Sequence, residues 1–405
     1  MNRNITLNQA LNLINNANIN PLQNEKIFIH DSINRVLYDD IRAIESSPKF
    51  NTSSMDGYAF AYSDLEKLQN EGLEILSINK AGNNTECEAT KGKCIKTFTG
   101  AKIPKNADTI AIVEQVYIKN NRIFLNKGEE VEPYKFIRKT AENYKKGDIL
   151  IPKGSLINPF HIGILSQNNT IFLQVYRKPR ISILTSGDEI AELGEIKEND
   201  NFIYSSNNHI LYAITKALGC DSSIHNIIKD SRIDIKNAIE SALQSSDMVI
   251  TTGGMSKGDF DFTKEAIKEF GEVVFESVKI KPGKVVSYIN CKDKHILALP
   301  GNPNSSVVSF LLFGRLILSK MLNLNTNIPI HKAKITNDIK ILDSARLEFA
   351  PAQIKLVDGI YEAKIIENRQ SYMINKLNGA MIIMDKKVNK GDLVDIIILD
   401  DLLKF

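Results

Sequence analysis

The chain has 405 residues, of which 43% are hydrophobic and 24% charged, a composition typical of globular proteins. It is too long for one compact core, so we expect two to four domains. The formal net charge of +3 is too small to favour nucleic acid or an anionic membrane surface as a partner.

The sequence has no pattern typical of secretion, membrane insertion or zinc binding. The N-terminus MNRNITLNQALNLI is polar and amphipathic, unlike a secretory signal. The longest apolar run, residues 307–322, carries Arg315 and Lys320 and therefore predicts a buried helix. The four cysteines form no CxxC pair and the six histidines no HExxH motif, which argues against a disulfide framework or a zinc site. We expect a cytoplasmic protein.

Residues 1–146 predict one helix followed mainly by β-structure. Thr6 is a candidate N-cap for a helix with Leu7, Ala10 and Ile14 on one stripe. Short strands bounded by turn residues are predicted over residues 27–30, 75–79, 94–98 and 109–114, with a hairpin at Asn120-Asn121.

Two loops of this region contain candidate binding residues. Asp56-Gly57 forms a turn that exposes a carboxylate, and Thr99-Gly100 opens the loop TGAKIP. Spacing alone favours a plain turn at Asp56-Gly57, and Thr99-Gly100 is either a binding loop or a turn. Residues 147–157 predict a strand pair that returns to the N-terminal layer.

Residues 177–322 alternate strands with helices, which predicts a mostly parallel sheet with helices on both faces. The predicted strands are 181–185, 223–228, 248–250, 273–280, 285–289 and 295–299. The predicted helices lie around 210–218, 235–242, 262–270 and 307–322.

The stretch DMVITTGGMSKGDFD, residues 247–261, combines a strand, a glycine loop, two acids and the start of a helix. Gly253-Gly254 allows a tight turn or close approach to a ligand. In a doubly wound sheet, such a loop presents chemistry at the carboxyl end of its strand. A plain connection with Asp261 as helix N-cap is the alternative.

Acids follow three successive strands of this region. Because parallel strands point the same way, we expect these acids to converge on one rim, beside the turns at residues 281–284 and 300–303. The acids are Asp188, Glu189, Asp230, Asp259 and Asp261.

The predicted rim combines groups suited to a cation with groups suited to an anion. Neighbouring carboxylates favour Mg²⁺, which proteins often share with substrate phosphates. The backbone N–H groups of the turn at 300–303 suit an anion, as do the side chains of Lys281, Lys284, Ser256, Ser305 and Ser306. Neither GxxxxGK[ST] nor GxGxxG occurs. The residues thus predict a Mg²⁺-assisted reaction on a phosphorylated small molecule that they do not identify.

Residues 327–405 return to short strands and predict a small β-barrel. These include 345–349, 380–384, 395–399 and a hairpin turned at Asp358-Gly359.

An ordered set of motifs resembles the molybdopterin molybdenumtransferases, the MoeA-type enzymes that also include the C-terminal domain of gephyrin. The set covers nearly the whole chain. The motifs are SSMDGYA (53–59), TGAKIPKNAD (99–108), TSGDE (185–189), TTGGMSKGDFD (251–261), IKPGK (280–284), LPGNPNS (299–305) and ARLEF (345–349).

The resemblance implies an α/β multi-domain fold with a central αβα three-layer doubly wound sheet of the molybdopterin-binding type. It also implies an elongated N-terminal domain, a β-rich inserted domain and a C-terminal small β-barrel. We assign the N-terminal domain to residues 1–44 plus 147–176, the β-rich domain to 45–146, the αβα domain to 177–326 and the barrel to 327–405.

The resemblance also implies an activity. Such an enzyme takes adenylyl-molybdopterin and molybdate as substrates, inserts molybdenum into the dithiolene, releases AMP and requires Mg²⁺. Members of the family are homodimers whose active site lies between the αβα domain of one subunit and the N-terminal region of the other. The molybdopterin adenylyltransferase is a candidate partner.

Matching motifs transfer the family's site residues to this chain, with Asp56 and Thr99 coming from the partner subunit's side. The implied catalytic residues are Asp56, Asp188, Asp230, Asp259, Asp261 and Lys281. The implied metal ligands are Glu189, Asp259 and Asp261. The implied substrate-binding residues are Thr99, Gly253, Gly254, Ser256, Pro300, Gly301 and Asn302. The implied molybdate-binding residues are Lys281, Lys284, Ser305, Arg346 and Ser371.

One departure from the family pattern is Ala141-Glu142-Asn143, where the family usually has Gly-Glu-Asp. If that Asp is a direct acid or metal ligand, Asn143 removes its charge and basicity. Three alternatives stay open: the adenylyltransferase that acts one step earlier, for which a lone αβα domain suffices; a catalytically silent scaffold; and tungstate in place of molybdate.

Overall fold

The computed structural model describes residues 2–82, 87–196, 201–253, 262–338, 345–366 and 379–405. Its strands in chain order are β1 (Arg3–Ile5), β2 (Asn24–Phe28), β3 (Ile41–Arg42), β4 (Thr52–Ser53), β5 (Gly57–Phe60), β6 (Leu73–Asn79), β7 (Lys93–Thr97), β8 (Thr109–Ile112), β9 (Val116–Lys119), β10 (Arg122–Leu125), β11 (Ile137–Arg138), β12 (Ile149–Ile151), β13 (Phe172–Tyr176), β14 (Arg180–Thr185), β15 (Ile190–Ala191), β16 (Ile203–Tyr204), β17 (Asp221–Ile224), β18 (Met248–Thr252), β19 (Glu272–Val278), β20 (Ile280–Lys281), β21 (Ser287–Cys291), β22 (Lys294–Leu299), β23 (His331–Ile335), β24 (Leu347–Val357), β25 (Ile360–Ile365), β26 (Ala380–Met384) and β27 (Leu393–Ile398).

The α-helices in chain order are α1 (Leu7–Asn16), α2 (Leu65–Asn70), α3 (Pro159–Gln167), α4 (Asn207–Ala217), α5 (Arg232–Ser245), α6 (Phe262–Ile267), α7 (Pro303–Ser309), α8 (Arg315–Met321) and α9 (Leu399–Leu402). A π-helical turn, Phe310–Gly314, joins α7 to α8, so one helical run extends over the predicted buried segment. Among the described residues, no helix is long and apolar enough to cross a membrane.

The chain forms two compact units. The first comprises residues 1–39, 154–158 and 172–405, and the second comprises residues 40–153 and 159–171.

The first unit contains a seven-stranded sheet in the order β1-β19-β21-β22-β18-β14-β17. Neighbouring strands are parallel except at β21, which is antiparallel to both β19 and β22. The predicted mostly parallel sheet is therefore confirmed. The edge strand β1, which pairs with β19, was not predicted from the sequence.

Helices cover both faces of this sheet because successive strand residues point to opposite sides. In β18, Met248 and Ile250 pack in a core with α1, α4, α7 and α8, whereas Val249 packs in a second core with α5 and α6. All residues of β18 are buried, as expected for a central parallel strand. The predicted αβα three-layer arrangement is confirmed.

The first unit also contains a closed β-barrel. Its strands pair in the order β24-β25-β23-β27-β26, and β26 pairs back with β24 to close the ring of five. The tight turn at Asp358-Gly359 joins β24 to β25, as predicted. Strand β20, which carries Lys281, runs parallel to β24 and joins the barrel's edge.

The second unit is built on a six-stranded sheet in the order β8-β5-β7-β6-β10-β9. The unit also contains two separate two-stranded sheets, β4 with β11 and β3 with β12. The buried Asn168, just after α3, anchors the second pair's loop by accepting from Ile44 N at 2.9 Å and donating to Arg42 O at 3.0 Å. The β-rich character predicted for this region is confirmed.

Some boundaries differ from the predictions. The strand predicted over 27–30 lies at Asn24–Phe28, because Ser32 N and Oγ both donate to Ile29 O and close a 3₁₀ turn. The strand predicted over 223–228 ends at Ile224, although the chain returns to the sheet edge at a single bridge between Ser186 and Ile228.

Candidate functional site

The acids that follow β14 and β17 come together at the carboxyl edge of the sheet. The bridge from Ser186 to Ile228 carries the chain after β17 back beside the end of β14. As a result, Asp230 N donates to Asp188 Oδ1 at 3.4 Å. The predicted convergence therefore holds for this pair of acids.

The Asp230 carboxyl group lies in an environment that disfavours its charge. Partial burial raises the pKa of Asp230, and the negative charges of Glu189 and Asp188 act in the same direction. The Ser186 hydroxyl and the backbone of Asp188 oppose this rise in pKa. Asp230 Oδ1 is buried and has no hydrogen-bond partner. A carboxylate in this state would gain from a nearby cation.

The glycines after β18 and β22 let three chain segments approach closely. Gly253 has φ +98°, and a Cβ there would lie 2.4 Å from the carbonyl oxygen of Ser186. A Cβ at Gly301 would lie 3.7 Å from Gly253 Cα. Only glycine fits at Gly253 without moving backbone. We call this meeting point of Ser186, Gly253 and Gly301 the glycine cradle.

Several predicted residues cannot be placed. Those outside the described residues are Gly254, Ser256, Asp259, Asp261 and Ser371.

The acids suit a cation that is held jointly by the protein and the substrate better than a cation held by protein side chains alone. Within the described part of the chain, no group of three or more His, Cys, Asp or Glu side chains could hold a metal ion. Mg²⁺ is commonly held by one or two carboxylates and completed by substrate phosphates and water. The orphaned Asp230 oxygen, with Asp188 and Glu189 beside it, fits that mode of binding.

A second group of predicted residues gathers where β20 meets β24 and α7. Ile280 lies opposite Leu347 in the parallel pair, so Lys281 on β20 is close to Arg346, the residue just before β24. Leu347 N donates to Lys279 O at 3.0 Å, which holds this pairing in place.

The turn after β20 lies against one side of α7. Gly283 has φ +104°, and a Cβ there would lie 2.4 Å from Ser309 Oγ and 3.4 Å from Ser305 O. Lys281, Lys284, Ser305 and Arg346 are therefore brought to one region, which we call the cationic subsite.

Helix α7 begins beside this subsite with a clear start signal. The Asn302 side chain accepts from Ser305 N at 3.2 Å, and Pro303 occupies the first helical position. The LPGNPNS motif, which contains Pro300, Gly301 and Asn302, thus connects the glycine cradle at Gly301 to the cationic subsite at Ser305.

In the second unit, Asp56 and Thr99 form a pair. Asp56 Oδ1 accepts hydrogen bonds from both Thr99 N and Thr99 Oγ1, each at 2.8 Å. These bonds lower the pKa of the Asp56 carboxyl group, which is exposed. Antiparallel pairing of β5 with β7 brings the two loops together.

The departure from the family pattern also lies in the second unit. Asn143 Nδ2 donates to Ser47 Oγ at 3.2 Å, and the Glu142 carboxylate accepts from Lys139 N at 2.8 Å. Ala141 has φ +62°, the left-handed region that glycine tolerates best. This chain therefore has an alanine at a left-handed backbone position where the glycine usual in the family would be unstrained.

We expect Ala141→Gly to raise the melting temperature of the second unit. A left-handed non-glycine residue costs about 1–2 kcal/mol, and the extra freedom of glycine in the unfolded chain offsets part of the gain, leaving about 0.5–1 kcal/mol. Calorimetry of thermal unfolding measures the change in melting temperature.

The matched control is Ala61→Gly in the same unit, where φ is −82°. It should lower the melting temperature, and a rise of similar size in both variants would contradict the assignment of strain to Ala141.

Comparison with known proteins identifies the family. The model of the MoeA N-terminal region (domain I and II) matches residues 5–168, and that of a probable molybdopterin binding domain matches residues 182–320. A molybdopterin molybdenumtransferase of Haemophilus influenzae is 30% identical over 317 residues, which cover 78% of each chain. A putative molybdopterin biosynthesis protein of Methanocaldococcus jannaschii is 30% identical over 93% of this chain and 92% of its own length. The chain belongs to the molybdopterin molybdenumtransferase family.

A solved structure agrees with this family assignment. The molybdopterin biosynthesis MoeA protein of Pyrococcus horikoshii OT3 matches with a TM-score of 0.81 and 26% identity, covering 98% of this chain and 100% of that one. The predicted multi-domain α/β fold with a C-terminal barrel is confirmed. Members of the molybdopterin molybdenumtransferase family are transferases of molybdenum cofactor biosynthesis, and this chain is one of them.

Proposed function

We propose that this protein inserts molybdate into adenylyl-molybdopterin and releases AMP in a Mg²⁺-dependent reaction. The observation that carries the proposal is the arrangement of the first unit, where α7 begins between an acidic edge and the cationic subsite. A substrate that is both a phosphoanhydride and the acceptor of an oxoanion needs both kinds of site.

The cationic subsite suits molybdate. A tetrahedral dianion needs cationic and hydroxyl donors, which Lys281, Lys284, Arg346 and Ser305 provide. Molybdate and tungstate have nearly the same size and charge, so this donor set does not select between them.

The glycine cradle and the acids suit the phosphoanhydride. Gly301 is exposed and carries no side chain, so a phosphate chain can approach its backbone closely. Asp188 and Asp230 would hold Mg²⁺, which when bound offsets the charge that builds on the leaving phosphate. Burial raises the pKa of Asp230, which suits this acid to accept a proton from an attacking oxygen.

The remaining predictions complete the proposal. The protein acts as a homodimer in the cytoplasm, with Asp56 and Thr99 contributed by a second copy, and it receives its substrate from the molybdopterin adenylyltransferase. The four-domain division stated above is part of the same proposal.

The decisive experiment incubates the purified protein with adenylyl-molybdopterin, Mg²⁺ and molybdate and follows AMP by chromatography. We expect AMP release that requires both molybdate and Mg²⁺, and parallel reactions with tungstate compare the two oxoanions. Substrate that binds without releasing AMP would instead support a scaffold. Formation of adenylyl-molybdopterin from ATP and molybdopterin would support the adenylyltransferase alternative.

Asn143→Asp tests whether the departure from the family pattern limits the rate. If the family's acid acts directly, restoring it supplies a charge and a base, and we expect AMP release to become about tenfold faster or more. Single-turnover AMP release measures it. Asn51→Asp, a change of the same kind in the same unit, should give no such gain, and an unchanged rate in Asn143→Asp would show that Asn143 does not limit catalysis.

A further inference from the structure

Asn207, the first residue of α4, has an unusual hydrogen-bond environment. The residue is only 7% exposed, and its Nδ2 donates to the carbonyl oxygen of Gly301 at 2.8 Å. That bond sets the orientation of the amide group, because only the NH₂ end can donate to a carbonyl. The other end, Oδ1, is buried without a hydrogen-bond partner.

This orphaned acceptor belongs to the glycine cradle. Gly301, to which Asn207 is bonded, lies against Gly253, and Gly253 lies against Ser186. The Ser186 hydroxyl is also buried at the cradle, where it acts on the Asp230 carboxyl group and lowers its pKa. Buried polar atoms are almost always paired, so the unpaired Asn207 Oδ1 at this cradle calls for a ligand that pairs it.

The chemistry of Oδ1 limits what it can bind. An amide oxygen only accepts, and phosphate and molybdate oxygens only accept in their ionised forms, so these groups cannot pair with it. Among the substrate's own groups, the partner must therefore be an O–H or N–H donor. In a substrate such as adenylyl-molybdopterin, these donors lie on the neutral parts, which are the adenosine and the pterin.

We propose that Asn207 is a positioning residue whose Oδ1 accepts a hydrogen bond from a hydroxyl or amino group of the adenosine or pterin part of the substrate. The inference rests on the proposed function for the identity of that substrate. Asn207 orients the neutral part while the acids and the cationic subsite hold the charged parts. Nothing in the sequence marked it, since SSNNH reads only as a helix start.

Binding of two neutral probes, adenosine and 6-hydroxymethylpterin, tests the proposal by ligand-observed NMR titration. We compare wild type with Asn207→Leu, which removes both polar atoms, and Asn207→Asp, which keeps an acceptor but loses the donor to Gly301. Neutral probes avoid repulsion from the charge of Asp. Asn12→Leu, on the exposed face of α1, is the matched control.

We expect Asn207→Leu to weaken one probe about tenfold, while Asn207→Asp and Asn12→Leu stay within about twofold of wild type. The weakened probe identifies whether the donor is on adenosine or the pterin. Equal loss in the Leu and Asp variants would show that Asn207 only supports Gly301, and would overturn the proposal. So would unchanged binding in Asn207→Leu, or a wild type that binds neither probe.

A second set of titrations tests the proposal with the wild-type protein alone. If Asn207→Leu fails to fold, wild type is titrated with purine riboside, 2′-deoxyadenosine and the 6-methyl and 2-deamino analogues of the pterin, each lacking one donor. Weaker binding of one analogue by about tenfold supports the proposal, and equal binding of all analogues overturns it. Because these titrations need no turnover, they can succeed even if AMP release fails, which separates this inference from the proposed function.

Discussion

Lys281→Ala is expected to abolish molybdate-dependent AMP release, with a loss of about 10²–10³-fold at low molybdate concentration. Removing one preorganised charged donor from a site where anionic charge is bound or develops has effects of this size. Lys281 sits at the junction of β20 and β24, beside Arg346 and the turn that lies against α7.

The measurement is the rate of AMP release as a function of molybdate concentration. If Lys281 binds the oxoanion, the variant's apparent KM for molybdate should rise. Lys216→Ala is the control, because Lys216 is an exposed lysine on α4 that pairs with Asp221 at 3.5 Å. A Lys281→Ala enzyme with the wild-type dependence on molybdate would remove Lys281 from the site.

Asp230→Asn should make the protein more stable near neutral pH and, at the same time, about 100-fold less active. The pKa of Asp230 is raised in the folded state, first by burial and then by Glu189 and Asp188. The folded state therefore holds a proton that the unfolded state has released, and its stability falls as pH rises through that interval. The amide of Asn carries no charge and so avoids this loss.

The gain in stability should follow pH in a defined way. It should be absent below the unfolded value of 3.8, grow up to the raised pKa, and stay constant above it. Since the group is partly exposed, we expect a rise in melting temperature of about one or two degrees. Added Mg²⁺ should raise the melting temperature of wild type more than that of the variant.

The control is Asp221→Asn at the opposite end of β17, where the carboxylate pairs with Lys216 on the surface. It should change neither activity nor the response to Mg²⁺. If wild type were more stable than Asp230→Asn at pH 7, the idea that the ionised Asp230 carboxylate destabilises the folded protein would be wrong.

The sequence alone determined the architecture of both the sheet and the barrel. Apolar strands alternating with helical stripes over residues 177–322 predicted the αβα layers, and the turn at Asp358-Gly359 predicted the β24–β25 hairpin. These features depend on residues a few positions apart, where side-chain period and turn chemistry act directly. The acids after β14 and β17 were predictable for the same reason, because strand direction sets their edge.

The family resemblance implied that Lys281 and Arg346 share a site, but only the tertiary structure decided which contacts bring such distant side chains together. The pairing of β20 with β24 joins Lys281 to Arg346 across a long stretch of chain, and β1 adds itself to the sheet edge beside β19. Likewise, only the hydrogen bond from Asn207 to Gly301 indicates that Asn207 belongs to the site. Contacts of this kind arise when packed layers exclude water and bring remote segments together, and local sequence patterns carry no record of which segments will meet.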